Sequence, residues 1–137
     1  MRFSGKVFRE GKFWVIEVPV LGIVTQGRTK KEAFEMIADA IEALADRVGF
    51  IIKVYPGTGK YFEIGSPDQK NLIAFLLRRQ RSKQGFTLAE VSRLLGGKSA
   101  NEYARYEQGR SVPTMSKLHQ LLNAVSETDF VLGESRV

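Results

Sequence analysis

Asn101 and Arg105 are the residues whose types and spacing best suit recognition chemistry. They lie four positions apart, so a helical wheel places them on one side of a helix, and Tyr103, Tyr106 and Glu107 fall on the other side. In the major groove of DNA, an arginine pairs with guanine and an asparagine pairs with adenine. The pattern favours a helix that packs its aromatic side inward and presents its polar side to a duplex.

Two short helices with a tight connection must position these residues. Thr87 and Glu90 have the spacing of a capping box, which starts the first helix, and Gly96-Gly97 ends it by permitting positive φ. Ser99 can cap the second helix, which is predicted to run to about Glu107. Three further positions complete the pattern: Ala104 on the outward side of the second helix, Gly109 at its end, and Pro113 in the first turn of another helix.

The segment from about Pro67 to Val125 resembles the XRE (Cro/repressor) helix-turn-helix family. The resemblance rests on RRQRSKQGFTLAEV, on RYEQG and on the proline at position 113. It implies DNA binding, and it implies a buried ion pair between Arg81 and Glu107 that ties the first helix of the domain to the recognition helix. An unpaired buried carboxylate would be costly, which is an independent reason to expect this pair.

The same resemblance implies roles for individual residues at the DNA. Bases would be contacted by Ala100, Asn101 and Arg105, and phosphates would be contacted by Ser99 and Arg110. Lys98 is a further candidate for a phosphate contact. An ordinary helical bundle without a DNA role is the alternative, because a capping box followed by an amphipathic helix is common.

Length, charge and composition set limits on the class of protein. The 137 residues suffice for one ordinary domain or two small ones, and the net charge of +6 leans toward residues 66–137, which contribute +4 against +2 from residues 1–65. The absence of cysteine excludes disulfides and thiolate chemistry, and the single His119 excludes multi-histidine metal sites. We expect no cofactor and no metal. Without a recognisable signal peptide or membrane-spanning run, we expect a soluble cytoplasmic protein.

The first half of the chain reads as a small sheet covered by one helix. Three strands are predicted at 2–9, 13–18 and 23–26, and Thr29 with Glu32 forms a second capping box. The helix that follows should end at Gly49. Its predicted core stripe consists of Phe34, Ile37, Ala38, Ile41, Leu44, Ala45 and Val48.

A fourth strand is predicted at 50–55, and Tyr61 to Ile64 should pair back only weakly. The expected fold class is α+β, with an N-terminal βββαβ domain over residues 1–64 and an all-α helix-turn-helix domain over residues 66–137. Phe130 to Leu132 could form either a short strand or a last helical turn.

The residues GKFWVIEVPVLGIVTQGRTKKEAFEMI resemble the HicB antitoxin domain, over roughly residues 2–55. The resemblance implies a truncated ribonuclease-H-like fold and neutralisation of a small basic HicA-like toxin that cleaves messenger RNA. It also implies a DNA-binding module that represses the protein's own operon. The alternative is a stand-alone repressor whose first domain senses a ligand or only mediates oligomerisation.

An acidic line along the long helix is the candidate surface for such a toxin. Glu35, Asp39, Glu42 and Asp46 recur at helical spacing and would complement a basic partner. The alternative is that this line is simply the solvated face of an amphipathic helix.

We expect no enzymatic activity. Two-metal ribonuclease chemistry needs several converging carboxylates, and the first strand, Arg2 to Arg9, contains neither Asp nor Glu. Glu17 has no partner acid at a defensible spacing, and His119 is more often an exposed polar residue on such a helix than a general base. A homodimer or higher homo-oligomer is expected, because two symmetric helices read DNA half-sites about 34 Å apart.

Overall fold

The structure, a computed structural model, describes residues 1–97 and 100–137, and these form two compact units. The first unit contains Met1–Gln69 and also Glu134–Val137, so the chain returns to it at its far end. The second unit contains Lys70–Gly133. Sheet and helix together in the first and helices in the second confirm the predicted α+β class.

A five-stranded antiparallel sheet forms most of the first unit. Its strands are β1 (Arg2–Glu10), β2 (Phe13–Val18), β3 (Ile23–Gly27), β4 (Lys53–Pro56) and β5 (Tyr61–Gly65), and their order across the sheet is β3-β2-β1-β5-β4. Alternate residues of β1 are buried, as the sequence pattern predicts. A single 3-10 turn at Pro19–Leu21 separates β2 from β3 and ends at Gly22, whose φ is 64°.

The position of β5 differs from the prediction of a weak, peripheral pairing. It lies between β1 and β4 and hydrogen-bonds to both. The reason is visible at Gly5, which pairs with Phe62 in the register of the sheet. A side chain at Gly5 would collide with the Phe62 ring, so the glycine makes room for an aromatic that is almost completely buried. Phe62 and Ile64 therefore place β5 in the core of the sheet.

Helix α1 (Lys30–Ala45) covers this sheet and begins as predicted, with the Glu32 amide donating to Thr29 Oγ1 at 3.0 Å. It ends earlier than predicted, because Asp46 adopts a left-handed φ of 52° before Gly49 is reached. Val48 is consequently fully exposed and Leu44 is 46% exposed, so the predicted core stripe was wrong at these two positions. The buried residues of α1 are Ala33, Ile37, Ile41 and Ala45.

Four helices form the second part of the fold: α2 (Gln69–Gln84), α3 (Leu88–Leu94), α4 (Ala100–Glu107) and α5 (Met115–Val125). Just before α2, the Ser66 hydroxyl accepts from the Asp68 amide at 3.1 Å. Residues 126–137 contain neither helix nor strand, so both options predicted for Phe130 to Leu132 were wrong. No helix in the described ranges is long and apolar enough to cross a membrane.

Candidate nucleic-acid interface

Helix α3 begins at the predicted capping box. The Glu90 amide donates to Thr87 Oγ1 at 3.1 Å, and the Thr87 amide donates to Glu90 Oε1 at 3.2 Å, so two backbone donors at the helix start are satisfied reciprocally. After Leu94 the chain leaves the helix through Gly96, whose φ of 75° suits a glycine. This turn brings the chain to α4.

Tyr103 anchors α4 to the rest of the second unit. Its side chain is only 1% exposed, and its hydroxyl donates to the Leu77 carbonyl of α2 at 3.4 Å. Burial raises the pKa of the Tyr103 hydroxyl well above its ordinary value, and the neighbouring Glu107 carboxylate raises it further. The hydroxyl therefore remains protonated and continues to act as a donor.

The predicted ion pair between Arg81 and Glu107 is confirmed. Arg81 Nη2 lies 2.6 Å from Glu107 Oε1, and Arg81 Nε lies 2.8 Å from Oε2, which is a bidentate arrangement. The remaining Arg81 nitrogen, Nη1, donates to the Phe86 carbonyl at 2.8 Å. Hydrogen bonding to the nearly buried Glu107 raises the pKa of Arg81. This pair links α2, the loop before α3, and the last turn of α4.

Two of the predicted base-reading residues have side chains that the structure describes, namely Asn101 and Arg105. Both lie on the outward face of α4. Asn101 and Arg105 are exposed, and Arg105 Nη2 donates to Ser111 Oγ at 3.4 Å. Ala104 was predicted to share this face but is 7% exposed. It belongs to the inward arc because it lies between Tyr103 and Glu107, where a methyl group permits close packing.

Two exposed residues, one on α4 and one just after its end, were not singled out from the sequence. Glu102 and Gln108 are exposed together with Asn101 and Arg105. The spacing of these four residues, at i, i+1, i+4 and i+7, is the signal that could have identified them, because such positions share one side of a helix. Glu102 places a negative charge beside Asn101 and Arg105, the two residues predicted to contact DNA.

The phosphate candidates are only partly described. Arg110 is exposed, and its backbone amide donates to the Arg105 carbonyl at 2.9 Å just beyond α4. Lys98 and Ser99 lie outside the described residues. Ala100 is the first residue of α4, and its side chain is likewise outside the description.

Gly109 fits α4 closely against α2. Its φ is 70°, and a Cβ atom there would lie 2.5 Å from Asn71 Oδ1. The position thus requires glycine for two reasons, a left-handed backbone and a close approach of a neighbouring side chain. The predicted end of the recognition helix at this glycine is confirmed.

Helix α5 starts later than predicted, at Met115. Thr114 is its N-cap, with Oγ1 accepting from the Lys117 amide at 3.1 Å, so Pro113 precedes the cap instead of occupying the first turn. Met115, the first residue of α5, is 66% exposed, and Leu121 is fully buried. His119 is exposed as predicted, and its Nε2 lies 3.1 Å from Asn123 Nδ2.

The acidic line of the first unit is found on α1 and at its end. Glu35 and Asp39 are exposed, whereas Glu42 is half-buried and its Oε1 accepts from the Ile52 amide at 3.3 Å. Asp46 is the exposed C-cap. Within the described ranges, no group of three or more His, Asp or Glu side chains is placed to hold a metal ion.

Comparison with protein families finds a match to the model of a helix-turn-helix domain over residues 72–129. The second unit contains a helix-turn-helix domain. The match spans all of α3, α4 and α5 and most of α2, so it includes both the capping box and the Arg81–Glu107 pair. Comparison with curated proteins finds no match to this chain.

Proposed function

We propose that this protein is a sequence-specific DNA-binding regulator that acts through its helix-turn-helix. The observation that carries the proposal is the way α4 packs in the second unit. Buried Tyr103 and the Arg81–Glu107 pair fix its inward side, while Asn101 and Arg105 are exposed on its outward side. A rigid helix with exposed hydrogen-bonding side chains suits entry into a major groove. The match over residues 72–129 supports the same conclusion.

Phosphate contacts set the position of the protein, and base contacts select the sequence. In this proposal, Arg110, with Lys98 and Ser99, contacts phosphates on the strands that flank the groove. Arg105 donates to guanine and Asn101 pairs with adenine, while Ala100 offers a methyl-sized contact. A homodimer would place two such helices in successive turns of the groove, about 34 Å apart.

Substituting the two arginines separately tests this division of roles. We expect Arg105→Ala to weaken binding to a selected duplex by about 1–3 kcal/mol and to relax specificity at one base pair. Arg110→Ala should instead weaken all duplexes similarly and reduce the salt dependence of binding, since it removes one phosphate contact. The selected duplex is obtained from a random library, and affinities are measured by fluorescence anisotropy over a range of salt concentrations.

Arg9→Ala is the matched control, because it removes the same charge from an exposed position near the end of β1 in the first unit. It should leave both affinity and specificity close to those of the wild type. An equal loss for Arg105→Ala on selected and scrambled duplexes would contradict the base-reading role. Failure of the wild-type protein to enrich any sequence would contradict the proposed function itself.

We further propose that the regulator is an antitoxin whose first unit neutralises a small basic HicA-like toxin. The resemblance of residues 2–55 to HicB domains supports this proposal. So does the exposure of Glu35, Asp39 and Asp46 along α1, where a basic partner would find complementary charge. DNA binding by the second unit would then repress the operon that encodes both proteins.

Co-expression with the product of the adjacent open reading frame tests the antitoxin role. We expect that product to arrest growth alone, and we expect this chain to co-purify with it and to restore growth. The double substitution Glu35→Lys with Asp39→Lys should weaken the complex, whereas Glu10→Lys, at the exposed end of β1, should not. If no neighbouring product is toxic or retained, the protein is a stand-alone repressor whose first unit senses a ligand or mediates oligomerisation.

A further inference from the structure

The two edges of the sheet in the first unit differ in how well they are protected against pairing with another chain. An edge strand presents unpaired backbone N–H and C=O groups, and natural proteins protect such strands with lysine, with proline or with short length. The edge strand β4 has all three protections, because its four residues begin at exposed Lys53 and end at Pro56, which has no N–H to donate. The opposite edge strand, β3, has neither lysine nor proline.

Strand β3 offers a regular row of backbone donors and acceptors. Its sequence, IVTQG, is uncharged and begins with three β-branched residues, which suit a pleated strand. All five residues pair in unbroken register with β2, from Ile23 opposite Val18 to Gly27 opposite Trp14, so no bulge turns this edge aside. Among the described residues, no further strand hydrogen-bonds to the outer side of β3.

Helix α1 fixes the position of β3 from one face of the sheet. A Cβ atom at Gly27 would lie 2.5 Å from the Ala33 backbone nitrogen, so the end of the strand fits directly against the start of the helix. Ile23 is 4% exposed on this face, whereas Val24, on the opposite face, is 63% exposed. An edge that is already ordered loses little conformational entropy when a second strand is added to it.

The composition of β3 favours a second copy of this chain as the added strand. An uncharged strand does not attract a basic protein such as the proposed toxin, to which the acidic residues of α1 offer complementary charge. Antiparallel pairing of β3 with itself about a two-fold axis is self-complementary and brings no like charges together. The register that pairs all five residues places Thr25 opposite the partner's Thr25. Val24 then lies opposite the partner's Gln26.

We propose that β3 is a homodimer interface through which two five-stranded sheets join into one continuous sheet. Alternate residue pairs in an antiparallel ladder exchange two backbone hydrogen bonds, so five pairs supply about four to six such bonds. Two threonines that face each other can also hydrogen-bond through their hydroxyl groups. The pairing itself is independent of DNA. Its use, which is to supply two recognition helices for a symmetric DNA site, rests on the proposed function.

Charge substitutions at the half-buried Thr25 test this interface in the whole chain, without DNA. In Thr25→Lys or Thr25→Glu, identical charges would lie directly opposite each other on the two-fold axis. Each variant alone should therefore have half the mass of the wild-type assembly. An equal mixture of the two variants should restore the wild-type mass, because opposite charges then face each other. Sedimentation velocity over a range of protein concentrations measures the mass, and restoration shows that both variants are folded.

Thr58→Lys and Thr58→Glu are the matched controls, because Thr58 is exposed in the turn between β4 and β5. Both should keep the mass of the wild-type assembly. Amide hydrogen exchange gives a second measurement that needs no substitution. The exchange of β3 amides on the open side should slow as the protein concentration rises, whereas the exchange of β4 amides should not change.

Three results would overturn the interface. The first is a wild-type protein that remains monomeric up to about 1 mM. The second is a wild-type mass that is unchanged in both Thr25 variants. The third is protection of β3 amides only when the product of the adjacent open reading frame is added, which would assign this edge to a partner strand. The expected masses in a protein that enriches no DNA sequence would support the interface and contradict the proposed function.

Discussion

At the scale of single residues, the Arg81–Glu107 pair shows how one interaction can position a recognition helix. The Glu107 side chain is 7% exposed and the Arg81 side chain is 21% exposed, so solvent screens the attraction between their charges only weakly. Its geometry is bidentate, and the third arginine nitrogen is occupied by the Phe86 carbonyl. The charge of each side chain is thus balanced by the other, so each depends on the other.

We expect Glu107→Gln to lower the free energy of unfolding by about 3 kcal/mol, because the substitution leaves the Arg81 charge without its counter-charge. The double substitution Arg81→Met with Glu107→Leu should recover much of that loss. Urea denaturation of the wild type, Glu107→Gln, Arg81→Met, Glu107→Leu and the double variant provides the measurement. Additive losses in the double variant would contradict the coupling between the two side chains.

At the scale of elements, a glycine with positive φ follows each of two helices of the second unit, and the two glycines differ in how closely other side chains approach them. Gly85, after α2, and Gly109, after α4, both have a φ of 70°. A side chain at Gly85 would meet no described heavy atom within 4 Å, whereas one at Gly109 would meet Asn71 at 2.5 Å. The two positions thus separate backbone strain from steric overlap.

We expect Gly85→Ala to cost about 1 kcal/mol of stability, which is the strain of a left-handed alanine. Gly109→Ala should cost about 3 kcal/mol, because overpacking against α2 adds to the same strain. Thermal and urea unfolding of both variants measure the difference. Adding Asn71→Ala to Gly109→Ala should recover part of the loss, and equal costs for the two single variants would refute the role of the close approach.

At the scale of the whole molecule, the chain closes back on its first unit through a buried carboxylate. Glu63, in β5, accepts from Ser135 Oγ at 2.6 Å, from the Arg136 amide at 3.1 Å and from Arg2 Nη1 at 3.4 Å. Burial alone would raise the pKa of Glu63, but these hydrogen bonds outweigh it and lower the pKa below its ordinary value of 4.5. The Arg2 guanidinium in turn stacks 3.6 Å from the centre of the Tyr55 ring.

The lowered pKa predicts an acid-sensitive attachment of residues 134–137. A carboxylate with a lowered folded-state pKa contributes stability that is fully present above the unfolded value near 4.5 and is lost as the pH falls through the lowered value. We expect Glu63→Gln to cost about 1–3 kcal/mol at neutral pH and to remove this pH dependence. Urea unfolding between neutral and acidic pH measures it, with Glu10→Gln as an exposed control, and parallel pH profiles for Glu63→Gln and wild type would contradict the assignment.

Local signals in the sequence predicted much of the fold and of the candidate interface. The capping box at Thr87, the N-cap at Thr29 and the glycine that ends α4 were found where expected, because each depends on residues within one or two turns. The capping box predicted at Thr29 is incomplete, because Glu32 Oε1 accepts from the Arg28 amide and not from the Thr29 amide. The helical wheel assigned Tyr103 and Arg105 to the correct sides of α4 but assigned Ala104 to the wrong side. An alanine is compatible with either face, so only the neighbouring helices determine which one it occupies.

By itself, the sequence determined most of the elements, the N-caps at Thr29 and Thr87 and the polar face of the recognition helix, since these follow from periodicity and short-range hydrogen bonding. The tertiary structure decided the central place of β5, the partners of Glu63, and the hydrogen bond from Tyr103 to the Leu77 carbonyl. Each of these brings together residues far apart along the chain. Their pairing depends on packing and on the mutual satisfaction of buried polar groups, which no local pattern of residues encodes.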